Sequence, residues 1–194
     1  DGLAAVLAPL SQFDGPEYLS IATQGYTYQP GVRSPVVWFP AYPLLIGAVD
    51  SLVRSPVVSA VLISLVAGAV ASAAYWRWLG DQGLDGRPRR VAHLTLFLSP
   101  FAWFLYGVVY SDALFLAAVL VAFVAVGRDR VVLAAVAGAV ATATRNTGLA
   151  VVPPLVLASM VRSGALSVPG DATGWVRRLA LPIRWDRSAF RWRS

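Results

Sequence analysis

PVVSAVLISLVAGAVASAAYWRWL, residues 56–79, decides the class of this chain. The run carries one charge, Arg77, close to its end. A helix that crosses a bilayer needs about 20 predominantly apolar residues, within a range of about 17–25, and this stretch meets that length. Outward from it, further apolar runs follow at 91–110, 112–127, 131–144 and 148–161, and another precedes it at 36–53. The whole chain is 57% hydrophobic and only 13% charged, against about 25% charged residues in an average soluble domain. The sequence therefore predicts an all-α protein, a polytopic transmembrane helix bundle. Its Ala- and Gly-rich stretches, Ala60 to Ala74 with Gly68 and Val131 to Ala143, suit helices whose backbones approach closely.

Arginine placement orients the bundle. Arg77, Arg87, Arg89 and Arg90 flank one loop, Arg128 and Arg130 another, and Arg162 opens a third basic region, so these three belong on the cytoplasmic side. Loop 11–35 and the turn at 110–112 then face outward. Two full crossings at 36–53 and 56–79 would break this scheme by bringing loop 80–90 to the outer face. Pro40 and Pro43 interrupt the start of 36–53, and Asp50 would sit in hydrocarbon. The expectation is a juxtamembrane or re-entrant segment at 36–53 and about five full crossings from residue 56 onward. Residues 1–10 are apolar but too short to span, and read as the remainder of a first membrane helix.

Residues 1–162 thus form one membrane domain, and 163–194 a tail of different character. Six arginines there, at positions 177, 178, 184, 187, 191 and 193, are interleaved with Trp175, Trp185, Phe190 and Trp192. That pattern fits a segment at the level of anionic lipid headgroups, or a disordered one, ahead of single-stranded nucleic acid stacked on the aromatics, because a tail that follows a helix bundle is already tethered beside lipid. Net charge +6 has its explanation in the cytoplasmic loops, so no nucleic-acid partner is expected. The absence of Cys removes disulfides and thiol chemistry, and a single His, His93, argues against a His-based metal cluster and reads as a packing residue. No Gly-x-x-x-x-Gly-Lys loop is present, so no nucleotide is expected to bind.

On the outer face the topology brings together Asp14 and Glu17, the turn Tyr110-Ser111-Asp112, and Arg145-Asn146. A carboxylate can take the proton from an attacking hydroxyl, and an arginine offers a planar fork to a phosphate leaving group. Simpler roles compete. Asp112 could cap the helix that starts there, and Asp14 could open a turn with Gly15-Pro16. Arg145 lies on the outer side, against the positive-inside pattern, and requires an anionic partner. Two acids and an amide could hold a divalent cation, although no Asp-x-Asp spacing occurs. No metal ligand is assigned. A transporter or flippase for a lipid-linked or anionic solute is the alternative reading; it should show internal repeats and broken helices meeting at the midplane, and no repeat is found.

Phe13-Asp14-Gly15-Pro16-Glu17-Tyr18-Leu19-Ser20-Ile21-Ala22 with Gly25-Tyr26 resembles the Trp-Asp-Gly…Tyr-Leu-x-Ile-Ala…Gly-Tyr loop of the PIG-V type mannosyltransferases. Trp38-Phe39-Pro40-Ala41-Tyr42-Pro43-Leu44-Leu45 resembles their Phe-Phe-Pro-Leu-Tyr-Pro-Leu-Leu, Tyr110-Ser111-Asp112-Ala113-Leu114-Phe115-Leu116 their Tyr-Ser-Glu-Ser-Leu-Phe-Leu, and Thr144-Arg145-Asn146-Thr147-Gly148-Leu149 their Thr-Arg-x-x-Gly. These enzymes belong to the GT-C superfamily of polytopic glycosyltransferases. The resemblance implies inverting transfer of a sugar, usually mannose, from a polyprenyl-phosphate donor to an extracytoplasmic glycolipid or glycan acceptor. The setting would be the plasma membrane of a bacterium or the endoplasmic reticulum of a eukaryote. Carried over residue by residue, it makes Asp14 the catalytic base and places Glu17, Tyr18, Tyr42, Tyr110, Asp112, Arg145 and Asn146 in the substrate-binding surface. Phe13 replaces the family's Trp, Asp112 its longer Glu, and the family's later helices have no counterpart after about residue 162.

Overall fold

The computed structural model describes residues 2–32, 34–167 and 184–185. These form eight α-helices: α1 Gly2–Leu7, α2 Gly15–Gln24, α3 Ala41–Val53, α4 Pro56–Asp81, α5 Gly86–Phe97, α6 Asp112–Val126, α7 Val131–Thr144 and α8 Val152–Arg162. Short 3₁₀ segments lie at Ala8–Leu10, Pro35–Val37, Pro100–Leu105 and Asn146–Val151. Apart from an antiparallel bridge of Leu166–Ser167 with Arg184–Trp185, the fold is all-helical. The remainder of the basic tail anticipated at 163–194 lies outside the described residues.

Helix α4 starts at Pro56, whose missing N–H costs nothing in a first turn. It stops where Gly83 takes φ +81° and the amide of Leu84 reaches back to the carbonyl of Leu79, a glycine-based C-terminal closure. It is the one helix among the described residues that is long and apolar enough to cross a membrane by itself. Its 26 residues extend about 39 Å at a rise of about 1.5 Å each. Helices α6 and α7, with 15 and 14 residues, reach only about 22 and 21 Å.

The apolar run 91–110 does not form a continuous helix. Pro100 lacks an amide donor and drives Ser99 to ψ 149°, so α5 ends at Phe97 and the chain continues as a 3₁₀ turn. It nevertheless returns along the whole of α4. Arg89 bonds to the carbonyl of Trp76, His93 to Ser72, Leu105 abuts Gly68, and Gly107 abuts Leu65 and Val61. Helix α6 then runs parallel to α4. Helix α7 returns, and residues 148–162 descend beside it, with Gly148 against Ala141, Leu155 against Gly138 and Arg162 against Asp129. Five passes result: α4, 86–109, α6, α7 and 148–162.

Helix α6 is the central element. It is apolar all round, exposes no residue between Ser111 and Val126, and packs chiefly on α4 and α7. The seam is built from small residues: Ala67, Ala71 and Ala74 of α4 meet Ala113 and Ala117 of α6, and Ala125 meets Ala134 of α7. Large apolar side chains are instead turned outward, among them Leu62, Leu65, Val66 and Val70 of α4 and Val131, Val132 and Val136 of α7. His93 is a packing residue, stacked near Tyr75 and Phe97 with its Nε2 on the Ser72 hydroxyl.

Helix α3 lies obliquely. Tyr42 near its start bonds to Ala60 and Ser64 of α4, whereas Asp50, eight residues later, meets Ser59. About 12 Å of travel along α3 thus matches only a few residues of α4. Trp38 and Tyr42 are buried in the core with Tyr18, Ile21 and Ile46.

Gly68 sets the α4 spacing at its tightest point, because a Cβ there would overlap the carbonyl of Leu105. Gly68→Ala is expected to destabilise the fold by about 1–3 kcal/mol through overpacking against backbone, measured as a lower midpoint of thermal or denaturant unfolding in detergent.

Candidate functional site

Side-chain contacts join the start of α2, the turn that leads into α6 and the residue that follows α7. The 3₁₀ segment before α2 and the turn before α6 are laced together by the backbone: the amide of Val109 donates to the carbonyl of Leu10 at 2.9 Å. Gly15 permits this approach, since a Cβ there would press on Ser11 at 3.3 Å and on the Val109 carbonyl at 3.4 Å. Phe13 takes the left-handed conformation at φ +56°, uncommon for a bulky residue, and so turns the chain into α2 directly at Asp14.

Asp14 occupies the N-cap of α2, yet its side chain makes no capping bond. Its Oδ2 instead accepts a hydrogen bond from the phenol of Tyr110 at 2.9 Å, across 96 residues of sequence. Asp112 likewise begins α6 without capping through its side chain; it forms an ion pair with Arg145. The simpler capping and turn roles are therefore not what these two carboxylates do. Arg145 reaches Asp112 because α7 ends at Thr144 and Arg145 itself turns extended, at φ −153° and ψ 149°. Its guanidinium also stands 6.0 Å from the Phe115 ring centroid. The second oxygen of Asp112 is enclosed and has no hydrogen-bond partner.

Tyr18 ties the two halves together. Its hydroxyl shares a 3.0 Å hydrogen bond with Ser111, and its ring is edge-on to Tyr42 at 5.1 Å and to Tyr110 at 6.2 Å. Burial pushes its phenol above the usual tyrosine range; Ser111 and Arg145 pull it down, and Asp14 and Asp112 push it further up. All three charged residues are thus within electrostatic reach of one hydroxyl. Tyr110, which also packs on Phe104 at 5.0 Å, is pushed up to about 12, first by burial and then by the hydrogen bond and charge of Asp14.

For a phenol the ionised form is what a raised value disfavours, so the stability that Tyr110 contributes is fully present below the unfolded value of about 10. It is lost as pH rises from there through about 12. Unfolding midpoints followed through that window are expected to fall more steeply for wild type than for Tyr110→Phe.

The sequence-derived site is thus partly assembled and partly reassigned. Asp14 with Tyr110, and Asp112 with Arg145, are brought together. Tyr18 and Tyr42, expected to touch substrate, are 5% and 0% exposed and form the floor instead. Their rings are enclosed because Trp38, Ile46 and the first turns of α4 close over them. Asn146 is exposed, and its Oδ1 accepts the amide of Thr147, a local turn that explains why this side chain serves the backbone. Glu17 is exposed beside Asp14.

Sequence reasoning overlooked Ser64 and Ser59. Both are fully buried; Ser64 holds the Tyr42 hydroxyl at 2.9 Å. Two hydroxyls within an apolar run were the signal, since a buried polar group needs a partner. Among the described residues no three His, Asp or Glu side chains stand close enough to hold a metal ion. At the opposite end of the bundle Asp81 pairs with Arg128, and Arg162 forks onto Asp129 with two 3.0 Å bonds. Compared with known proteins, the chain matches no family model, no curated protein and no solved structure.

Proposed function

We propose that this chain is a membrane glycosyltransferase that moves a sugar, mannose by its resemblance to the PIG-V type enzymes, from a polyprenyl-phosphate donor to an extracytoplasmic acceptor. One observation carries the reading: a carboxylate held by a phenol, Asp14 with Tyr110, meets a carboxylate–guanidinium pair, Asp112 with Arg145, at one end of an apolar bundle. That combination supplies a general base and a cation for a phosphate leaving group within one site.

In the proposed reaction Asp14 takes the proton of the acceptor hydroxyl as its oxygen bonds to the anomeric carbon. The bond from that carbon to the phosphate oxygen breaks on the opposite side, and its electron pair leaves with the lipid phosphate. Arg145 balances the charge that develops there, exchanging part of its contact with Asp112 for the phosphate. A single displacement of this kind inverts the anomeric centre.

The membrane setting is part of the proposal. The five passes become five crossings, with α3 resting obliquely at the outer face. Arg77, Arg87, Arg90, Arg128, Arg130 and Arg162 gather at the end remote from Asp14, as the positive-inside rule asks of a cytoplasmic face. The outward leucines and valines of α4 and α7 would meet lipid. The shorter α6 and α7 would be accommodated by local thinning of the bilayer.

Membranes expressing the full chain provide the test. Incubated with radiolabelled polyprenyl-phosphate mannose, they are expected to yield labelled acceptor, and labelled nucleotide mannose with polyprenyl phosphate absent is expected to yield none. Transfer from the nucleotide sugar alone would overturn the donor assignment. Absence of transfer from any lipid-linked sugar, with uptake of such a lipid into vesicles, would favour transport.

A further inference from the structure

We infer that Tyr110 is the positioning residue of Asp14: its phenol pins one carboxylate oxygen and leaves the other to receive the proton of the incoming hydroxyl. The resemblance places Tyr110 in the substrate-binding surface, and in the structure its hydroxyl donates to Asp14 Oδ2 at 2.9 Å. No other hydrogen bond to the Asp14 carboxylate occurs among the described residues, so Oδ1 is the free acceptor.

The phenol is itself firmly placed. The Tyr110 ring lies against Phe104 at 5.0 Å and edge-on to Tyr18 at 6.2 Å, and Tyr18 is locked through Ser111, the next residue in the turn. The amide of Tyr110 donates to Val108, and that of Val109 to Leu10 just before the Asp14 turn. The turn that carries Tyr110 is thus tied by backbone to the segment that leads into Asp14, and the two residues themselves are joined through their side chains. The bond holds the carboxylate toward the turn before α6, while Arg145 is engaged by Asp112. Raised to about 12, the phenol remains a donor at every working pH and is no competitor for the transferred proton.

The consequence for turnover rests on the transferase reading; the pairing itself does not, and two readouts keep them separate. The first is infrared difference spectroscopy of the purified full chain, in which the Asp14 carboxylate band is identified as the band lost in Asp14→Asn. In Tyr110→Phe that band is expected to shift, because one oxygen loses its donor. In Tyr106→Phe, whose hydroxyl donates to the Phe97 carbonyl elsewhere, it is expected to stay. The second is steady-state transfer: Tyr110→Phe is expected to lower kcat about 10–100-fold, as misplacement of a base does, with KM for the lipid-linked sugar within about twofold. A carboxylate band unmoved in Tyr110→Phe would overturn the proposal, as would a loss confined to KM. A band that shifts in Tyr110→Phe, together with a wild type that transfers no sugar, would uphold the pair and overturn the transferase reading alone.

Discussion

Asp14→Asn is expected to reduce sugar transfer by about 10²–10⁴-fold, the usual weight of a general base, while leaving the fold in place. The amide keeps the shape of the carboxylate, and its oxygen can still accept the Tyr110 phenol, so the contacts that join α2 to the turn before α6 persist. What it loses is basicity. KM for the lipid-linked donor is expected to change little, because the phosphate is assigned to Arg145 and not to Asp14. Asp14→Glu provides the complementary measurement. It keeps the base but moves it by one methylene against a fixed phenol, and its transfer is expected to fall between wild type and Asp14→Asn. Radiolabelled transfer at saturating donor, normalised to folded protein by size-exclusion profile, reads both. Wild-type rates in Asp14→Asn would remove Asp14 from the chemistry and leave its bond to Tyr110 as a purely structural tie.

The all-helical class was legible because the apolar runs are long and nearly uncharged. The break at Ser99–Pro100 was also available in the residues, since proline removes a donor and disfavours helix in the residue before it. Hydropathy alone hides it, because the apolar run continues past the proline to residue 110. The oblique course of α3 could be argued from Pro40, Pro43 and Asp50, whereas the burial of Trp38 and Tyr42 could not. Aromatic residues beside prolines read equally as an interfacial belt or as core, and only the Ser64 hydroxyl and the Tyr18 ring decide between them.

At the site, sequence motifs identified the right segments without assigning partners. Tyr110, Asp112 and Arg145 lie in turns whose tertiary contacts span from 33 to 96 residues. Nothing local distinguishes a tyrosine that binds a ligand from one that holds an acid. The same applies to Asp112, where the rule that acids stabilise helix N-termini is satisfied by its position and yet its side chain is spent on Arg145.

Arg145 is where structural and chemical roles overlap most, and its replacement has to be read against Asp112. Arg145→Ala removes the one partner, among the described residues, of a carboxylate whose second oxygen is already enclosed without one. Breaking a fully buried pair from one side costs about 3–5 kcal/mol. Here both side chains remain about a third exposed, so solvent screening reduces the expected loss of stability to about 1–3 kcal/mol. Transfer is expected to fall further than that loss explains, by about 10²–10³-fold, because a cation at the developing phosphate charge is also gone. The double variant Arg145→Ala with Asp112→Asn separates the two. Neutralising Asp112 removes the unpaired charge, so unfolding midpoints are expected to recover toward wild type, while transfer is expected to stay low. Arg145→Lys restores charge without the planar fork and is expected to recover stability better than rate. If the double variant regained both together, Arg145 would serve only to neutralise Asp112, and the leaving group would need another cation.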